Sequence, residues 1–159
     1  MRKRIIAAIP QASKVAAADR RWLDLEKIAA VEVTSEANEF PIEAALLPAE
    51  QRGWRAAVSG PQTIRLIFDQ PQRLTHIWLS FEETQTTRTQ EFVLRFSSQT
   101  AGSLRDIVRQ QWNFAAPDAT REVEDYAVEL SAVAVLELTI VPDTSGGPAL
   151  ASLLSLRLA

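Results

Sequence analysis

The stretch PQTIRLIFDQPQRLTHIWLSF, residues 61–81, alternates apolar and polar side chains twice over. Ile64, Leu66 and Phe68 fall on one face of an extended chain, and Ile77, Leu79 and Phe81 do the same further on. Successive strand side chains point to opposite faces, so each run reads as a half-buried strand. Between them stands DQPQ, residues 69–72, in which an Asp and a Pro supply turn chemistry.

The same period of two extends in both directions. VEVTS places Val31, Val33 and Ser35 together, and EFVLRFS does so for Phe92, Leu94 and Phe96. DYAVEL gives Tyr126, Val128 and Leu130, LELTIV gives Leu136, Leu138 and Ile140, and LLSLRL gives Leu154, Leu156 and Leu158. RG, SGPQ, TAGS, APDAT and PDTSGGP punctuate these runs as loops. No helical pattern of ten to fifteen residues separates the strands, so parallel βαβ units are not expected. Antiparallel strands with one apolar face imply two packed sheets or a barrel.

One strand raises a question of its own. LRDIVRQQWNF, residues 104–114, puts Leu104, Val108, Trp112 and Phe114 on one face and Ile107, Arg109, Gln111 and Asn113 on the other. A Trp with amides and an Arg beside it is what a sugar-binding shelf is made of. A Trp in register with Leu and Val is more simply a core Trp, because burying so large a ring stabilises by a few kcal/mol.

Residues 1–30 differ from the rest. AAADRRWLDLEKIAA is rich in helix formers, with Trp22, Leu25 and Ala29 on one helical face and Ile28 close by. A short helix or packed N-terminal arm is one reading, and an extended approach to the first strand is the other. The division is therefore an arm over 1–30 and a β-domain over 31–159.

Composition bounds the function. The 159 residues suit one domain, and 47% hydrophobic with 23% charged residues is a globular composition. Net charge is −3 and the only dense basic cluster is Arg2-Lys3-Arg4, so no nucleic-acid partner is expected. The absence of cysteine excludes disulfides, thiol nucleophiles and Cys-bound zinc. The start MRKRIIAAIPQAS imitates a signal peptide, but its apolar run stops at Pro10. No segment approaches the ~20 apolar residues of a membrane-crossing helix. A cytoplasmic location and no membrane partner are expected.

The order VEVTSE, then Gly53-Trp54, then PQTIRLIFDQPQRLTHIWLSF, then EFVLRFSS resembles the discoidin domains. These are also called coagulation-factor C-type domains, among the galactose-binding-like jelly rolls. The resemblance spans about residues 30–158 and implies an all-β, eight-stranded antiparallel jelly-roll sandwich. It also implies that ligands meet loops at one end. Following the chain up and down, loops near 36–42, 54–61, 82–89, 113–121 and 143–148 should converge there.

Those loops hold Asn38, Phe40, Arg55, Glu82, Glu83, Arg88, Asn113 and Asp143. Amides, carboxylates and Arg hold vicinal hydroxyls, and a ring offers its face to sugar C–H groups. The same residue types are also ordinary solvated loop residues. Arg88 stands out at a strand head with Glu82 and Glu83 across the loop, where a structural ion pair is its competing role. Trp54 is expected to pack beneath the sandwich end. Phe40 is either an exposed tip or an anchor folded back on the core. His76 is the only histidine, with no partner pattern for catalysis or metal binding.

Many sugar-binding relatives carry calcium, usually with an acidic ligand after an alanine in the last strand. Here Ser152 follows Ala151, and Glu36, Asn38 and Glu39 in SEANE lack a calcium-loop spacing, so no metal or other cofactor is expected. Twenty acidic residues make accidental pairs easy, and nothing selects a catalytic pair. The expected function is a non-catalytic module that binds carbohydrate through its loop end. The alternative is a cytosolic interaction or assembly domain, docking a protein partner or another copy through the arm at Trp22, Leu23 and Leu25.

Overall fold

The computed structural model describes residues 21–50 and 52–159. The chain runs α1 (Leu25–Ile28), β1 (Ala29–Val33), α2 (Glu43–Leu46), β2 (Trp54–Arg55), β3 (Gln62–Glu82), β4 (Arg88–Ser97), β5 (Arg105–Phe114), β6 (Arg121–Val141), β7 (Ser152–Leu153) and β8 (Ser155–Leu158). All pairings between these strands are antiparallel.

β3 and β6 are paired along most of their length and build both layers of the sandwich. The first half of β3 lies between β1 and the second half of β6, which continues to β4 and then to edge strand β5. The second half of β3 lies between β8 and the first half of β6. The β2–β7 pair joins beside it through the hydrogen bond from Leu154 N to Ser80 O.

The DQPQ segment is therefore not a loop between two strands, as expected, but a bend inside one. Register shifts between Ile67 and Gln72, Gln72 and Leu74, and Leu74 and His76 mark where the ladder breaks. Pro71 has no N–H to give a ladder, and such a position suits a bulge. The chain leaves the loop end along one sheet, bends, and returns along the other. β6 does the same in reverse.

Ile64, Leu66 and Phe68, with Phe92, Leu94, Leu136, Leu138 and Ile140 of the same sheet, point into the core toward Ile77, Leu79 and Phe81 of the other layer. Phe81 and Phe92 stack across the two layers at 5.2 Å between ring centroids. Phe114 is fully buried and Trp112 packs half-buried against the core, as the alternation implies, but a register shift at Leu94–Arg95 breaks the alternation and Ile107, expected outward, packs on the core beside Val108. The last strand differs. The chain breaks at Leu154 between β7 and β8, and that one-residue irregularity puts Leu153 in the core beside Leu156 and Leu158, leaving Leu154 half-buried.

Outside the first sheet, Glu32, Arg65, Glu137, Arg95 and Asp106 form a row of alternating charge across five strands. Glu137 sits at its centre, bound by Arg65 at 2.7 Å.

Much of the arm, residues 1–20, including Arg2-Lys3-Arg4 and the signal-like start, lies outside the described residues. From Arg21 the chain packs on itself: Leu23 N donates to Leu158 O at 2.7 Å and Leu25 is buried in the core. Among the described residues of the arm, helix spans Leu25–Ile28 and stops there because Ala29 and Ala30 already pair with Phe68 and Ile67. Leu25 is thus engaged within the chain, and half-buried Leu23 packs against the same core.

Candidate functional site

All five loops expected to converge do meet. Ala37 N donates to Arg55 O at 2.8 Å and Arg55 N to Phe40 O at 3.2 Å, tying residues 36–42 to β2. Glu83 N donates to Thr120 O at 2.8 Å, and the Arg121 guanidinium donates to Glu82 Oε2 at 2.6 Å, tying 82–89 to 113–121. Thr144 N donates to Thr89 O at 2.8 Å, and Ala56 N to Ala151 O at 2.9 Å, which brings in the β6–β7 connection.

Local sequence fixes this end. Gly53 takes φ +77°, and a Cβ there would stand 2.7 Å from Leu153 O, so only glycine lets β2 approach β7 so closely. The next residue, Trp54, is buried as expected and donates from Nε1 to Ser35 O at 3.0 Å. Asp143 Oδ1 accepts from Ser145 N at 3.0 Å and Ser145 Oγ at 2.8 Å, closing an Asx turn before Gly146 and Gly147. These hydrogen bonds, the backbone one first, hold the Asp143 carboxyl below the usual carboxylate range.

A cavity of about 320 Å³ opens between β2, the loop over 82–89 and the β6–β7 connection. Arg55, Glu82, Glu83 and Asp143 line it, with Gln85, Thr86 and Ser152 as further polar groups and Pro148, Ala149 and Leu150 as an apolar wall. Leu150 is 39% exposed, unusual for a leucine in this chain. Four charged groups and an apolar surface share one concave site, the combination small-ligand pockets use.

The other expected residues lie around the cavity. The Arg55 guanidinium sits over the Phe40 ring, 4.6 Å from its centroid, so Phe40 is a support for Arg55. Asn38 is exposed beside Phe40 and away from the cavity wall. Asn113 is exposed and accepts from Thr89 Oγ1 at 2.8 Å through Oδ1. His76 is half-buried on the outer face of β3, and its Nδ1 meets Thr75 Oγ1 at 3.3 Å.

Arg88 stands behind the wall. Its side chain is 1% exposed, donating from Nε to Glu83 Oε1 at 2.8 Å and from Nη1 to Pro142 O at 2.6 Å. Its guanidinium also lies 4.9 Å from the Phe114 ring centroid. The ion pair with Glu83 is the structural role that competed with ligand contact. Burial pushes the Glu83 carboxyl up, but the hydrogen bond from Arg88 and those from Gln85 and Thr86 outweigh it and hold it low.

A buried polar set that none of the expected site residues includes, apart from Arg88, lies just inside. Arg88 Nη1 donates to Gln90 Oε1 at 3.3 Å, and Gln90 Nε2 donates to Glu122 Oε1 at 3.2 Å. Gln90 and Glu122 are fully buried. Burial first, and then the neighbouring Glu124 carboxyl, push Glu122 up to about 8. The signal was available: Gln90 shares a face with Phe92, and Glu122 and Glu124 share one with Tyr126. Among the described residues no group of three His, Cys, Asp or Glu is placed to hold a metal ion.

No protein-family model matches the chain, and no curated protein matches it. Solved structures do match. The Clostridium perfringens module CpGH89CBM32-5, in complex with GalNAc-β-1,3-galactose, superposes with a TM-score of 0.65 at 17% identity, over 87% of this chain and 99% of that one. The CBM32 of AlyQ, in complex with 4,5-unsaturated mannuronic acid, gives 0.61 at 17% identity, over 88% and 98%. The family 32 CBM from C. perfringens NanJ, in complex with galactose, gives 0.59 at 14%, over 86% and 96%. The fold is the discoidin-like jelly roll of these modules. At such identity the likeness speaks for the fold.

Proposed function

We propose that this protein is a non-catalytic carbohydrate-binding module that takes a sugar into the loop-end cavity. The observation that carries the reading is the grouping of Arg55, Glu82, Glu83 and Asp143 around an apolar wall centred on Leu150. Carboxylates accept from sugar hydroxyls, Arg55 donates to them, and Leu150 covers an apolar C–H face. The sugars bound by the structurally similar modules support this reading.

Among the described residues the cavity has no aromatic platform, since Trp54 is buried, Trp112 faces inward and Phe40 is covered by Arg55. Recognition therefore runs through hydrogen bonds and an aliphatic contact, a modest-affinity mode. Melting of the purified protein against galactose, N-acetylgalactosamine and uronate-containing oligosaccharides tests it. A ligand bound only by the folded state raises the melting temperature by mass action. A rise with one sugar class, absent in Arg55→Ala, is expected. No rise with any sugar at saturating concentration would contradict the reading.

A further inference from the structure

Glu83, Arg88, Gln90 and Glu122 form one hydrogen-bonded chain from the cavity rim to the sandwich interior. Its links are 2.8 Å from Arg88 Nε to Glu83 Oε1, 3.3 Å from Arg88 Nη1 to Gln90 Oε1, and 3.2 Å from Gln90 Nε2 to Glu122 Oε1. Arg88, Gln90 and Glu122 are buried, and Glu83 lines the cavity. Glu122 Oε2 makes no well-formed hydrogen bond among the described residues. A chain this complete on one side, ending on a carboxyl half-satisfied on the other, is more than loop support requires.

We propose that this chain transmits the protonation state of buried Glu122 to Glu83 at the rim of the end cavity, so that the cavity has a proton-linked shape. Gln90 and Glu122 are positioning residues in this scheme, and neither lines the cavity.

The groups around Glu122 set the direction. β4 brings the Arg88 charge and the Gln90 amide. β6 itself brings Glu124 and Tyr126 on the same face, and the charges of both glutamates, after burial, raise the Tyr126 hydroxyl. β3 meets Glu122 with Phe81, and β5 meets Gln90 with Trp112, neither of which carries a charge. Asp143 feels Arg88 from the β6–β7 connection. When Glu122 loses its proton, a negative charge appears beside Glu124, and among the described residues the cation that acts on Glu122 is Arg88. Gln90 is held between them and cannot shield that attraction. Arg88 is drawn inward, away from Pro142 O and Glu83, and the rim loosens. The carboxyl near 8 places this change close to neutral pH.

The consequence for sugar rests on the binding reading; the relay itself does not. The first measurement needs no ligand. In the full chain labelled with 15N, the Arg88 Nε–H and Gln90 side-chain amide signals are followed from acid to alkaline pH. Both are expected to move with one midpoint. Glu122→Gln should abolish the movement, and Glu124→Gln should lower the midpoint by about one pH unit. A Gln90 signal that titrates beside a stationary Arg88 would overturn the relay, as would movement that survives Glu122→Gln. The second measurement titrates galactose and N-acetylgalactosamine at pH 6.5 and pH 9. Weakening of about fivefold at the higher pH, absent in Glu122→Gln, is expected for a coupling at the low end of its usual range. Equal affinity at both values would refute the link from relay to ligand. Shared titration with no sugar bound at any pH would uphold the relay and refute the sugar reading instead.

Discussion

Gln90 donates from Nε2 to Glu122 Oε1 at 3.2 Å, and neither side chain is exposed to solvent. Glu122 therefore sits where a charge is costly, with Glu124 beside it. Its carboxyl is about 8 in the folded protein against 4.5 ordinarily. Between those values the folded protein holds a proton that the unfolded chain has released. Stability thus falls as pH rises from about 4.5 to about 8, and this contribution is level above.

Glu83, Glu91 and Asp143 act in the opposite sense, because folding lowers all three. Their contribution is present above the ordinary carboxyl range and is lost as pH falls below it. Stability should therefore peak at roughly pH 5. Denaturant unfolding at pH 5, 7 and 9 checks this. Glu122→Gln should raise stability at neutral pH by roughly 2–3 kcal/mol and flatten the alkaline limb. Equal stability of the two proteins at pH 9 would contradict it.

Arg88→Ala should destabilise by about 3 kcal/mol or more, since it leaves Glu83, Pro142 O and Gln90 without their donor. Arg55→Ala removes an exposed group and its stack on Phe40, and should cost well under 1 kcal/mol. Urea midpoints of the two variants separate the arginine buried behind the cavity from the one that lines it. Similar midpoints would contradict that division.

Gly53→Ala and Gly60→Ala share a positive φ, but the added Cβ meets backbone 2.7 Å away at Gly53 and open space at Gly60. Gly60→Ala should cost about 1 kcal/mol, for strain alone, and Gly53→Ala at least twice that. Melting of both variants checks the close approach of β2 to β7. A cost at Gly53 no larger than at Gly60 would argue against it.

Much of the fold was legible because period-two alternation registers burial directly. Ile64 to Phe68, Ile77 to Phe81 and Phe92 to Leu94 were readable without any structure. DQPQ misled because bulge and turn use the same residues; only the partner strand β6, running past the bend, distinguishes them. Leu154 was misassigned because one irregular residue shifts the alternation. The converging loops were legible once strand directions were known, and Arg55, Glu82 and Asp143 do share the cavity. The depth of Arg88 was not, because a loop-end arginine looks the same in sequence whether it faces solvent or a buried carbonyl. Gln90 and Glu122 stood at core positions as polar residues, a local conflict that marks a functional or strained site.

The most direct test is chemical-shift mapping of the 15N-labelled protein titrated with galactose, N-acetylgalactosamine and a uronate oligosaccharide. Saturable shifts should appear for Arg55, for residues 82–86, for Asp143 and for residues 148–152, and should vanish in Arg55→Ala. Shifts gathered elsewhere, such as around Trp78 on the outer face of the second sheet, or no saturable shifts with any of the three, would contradict a sugar site in the loop-end cavity.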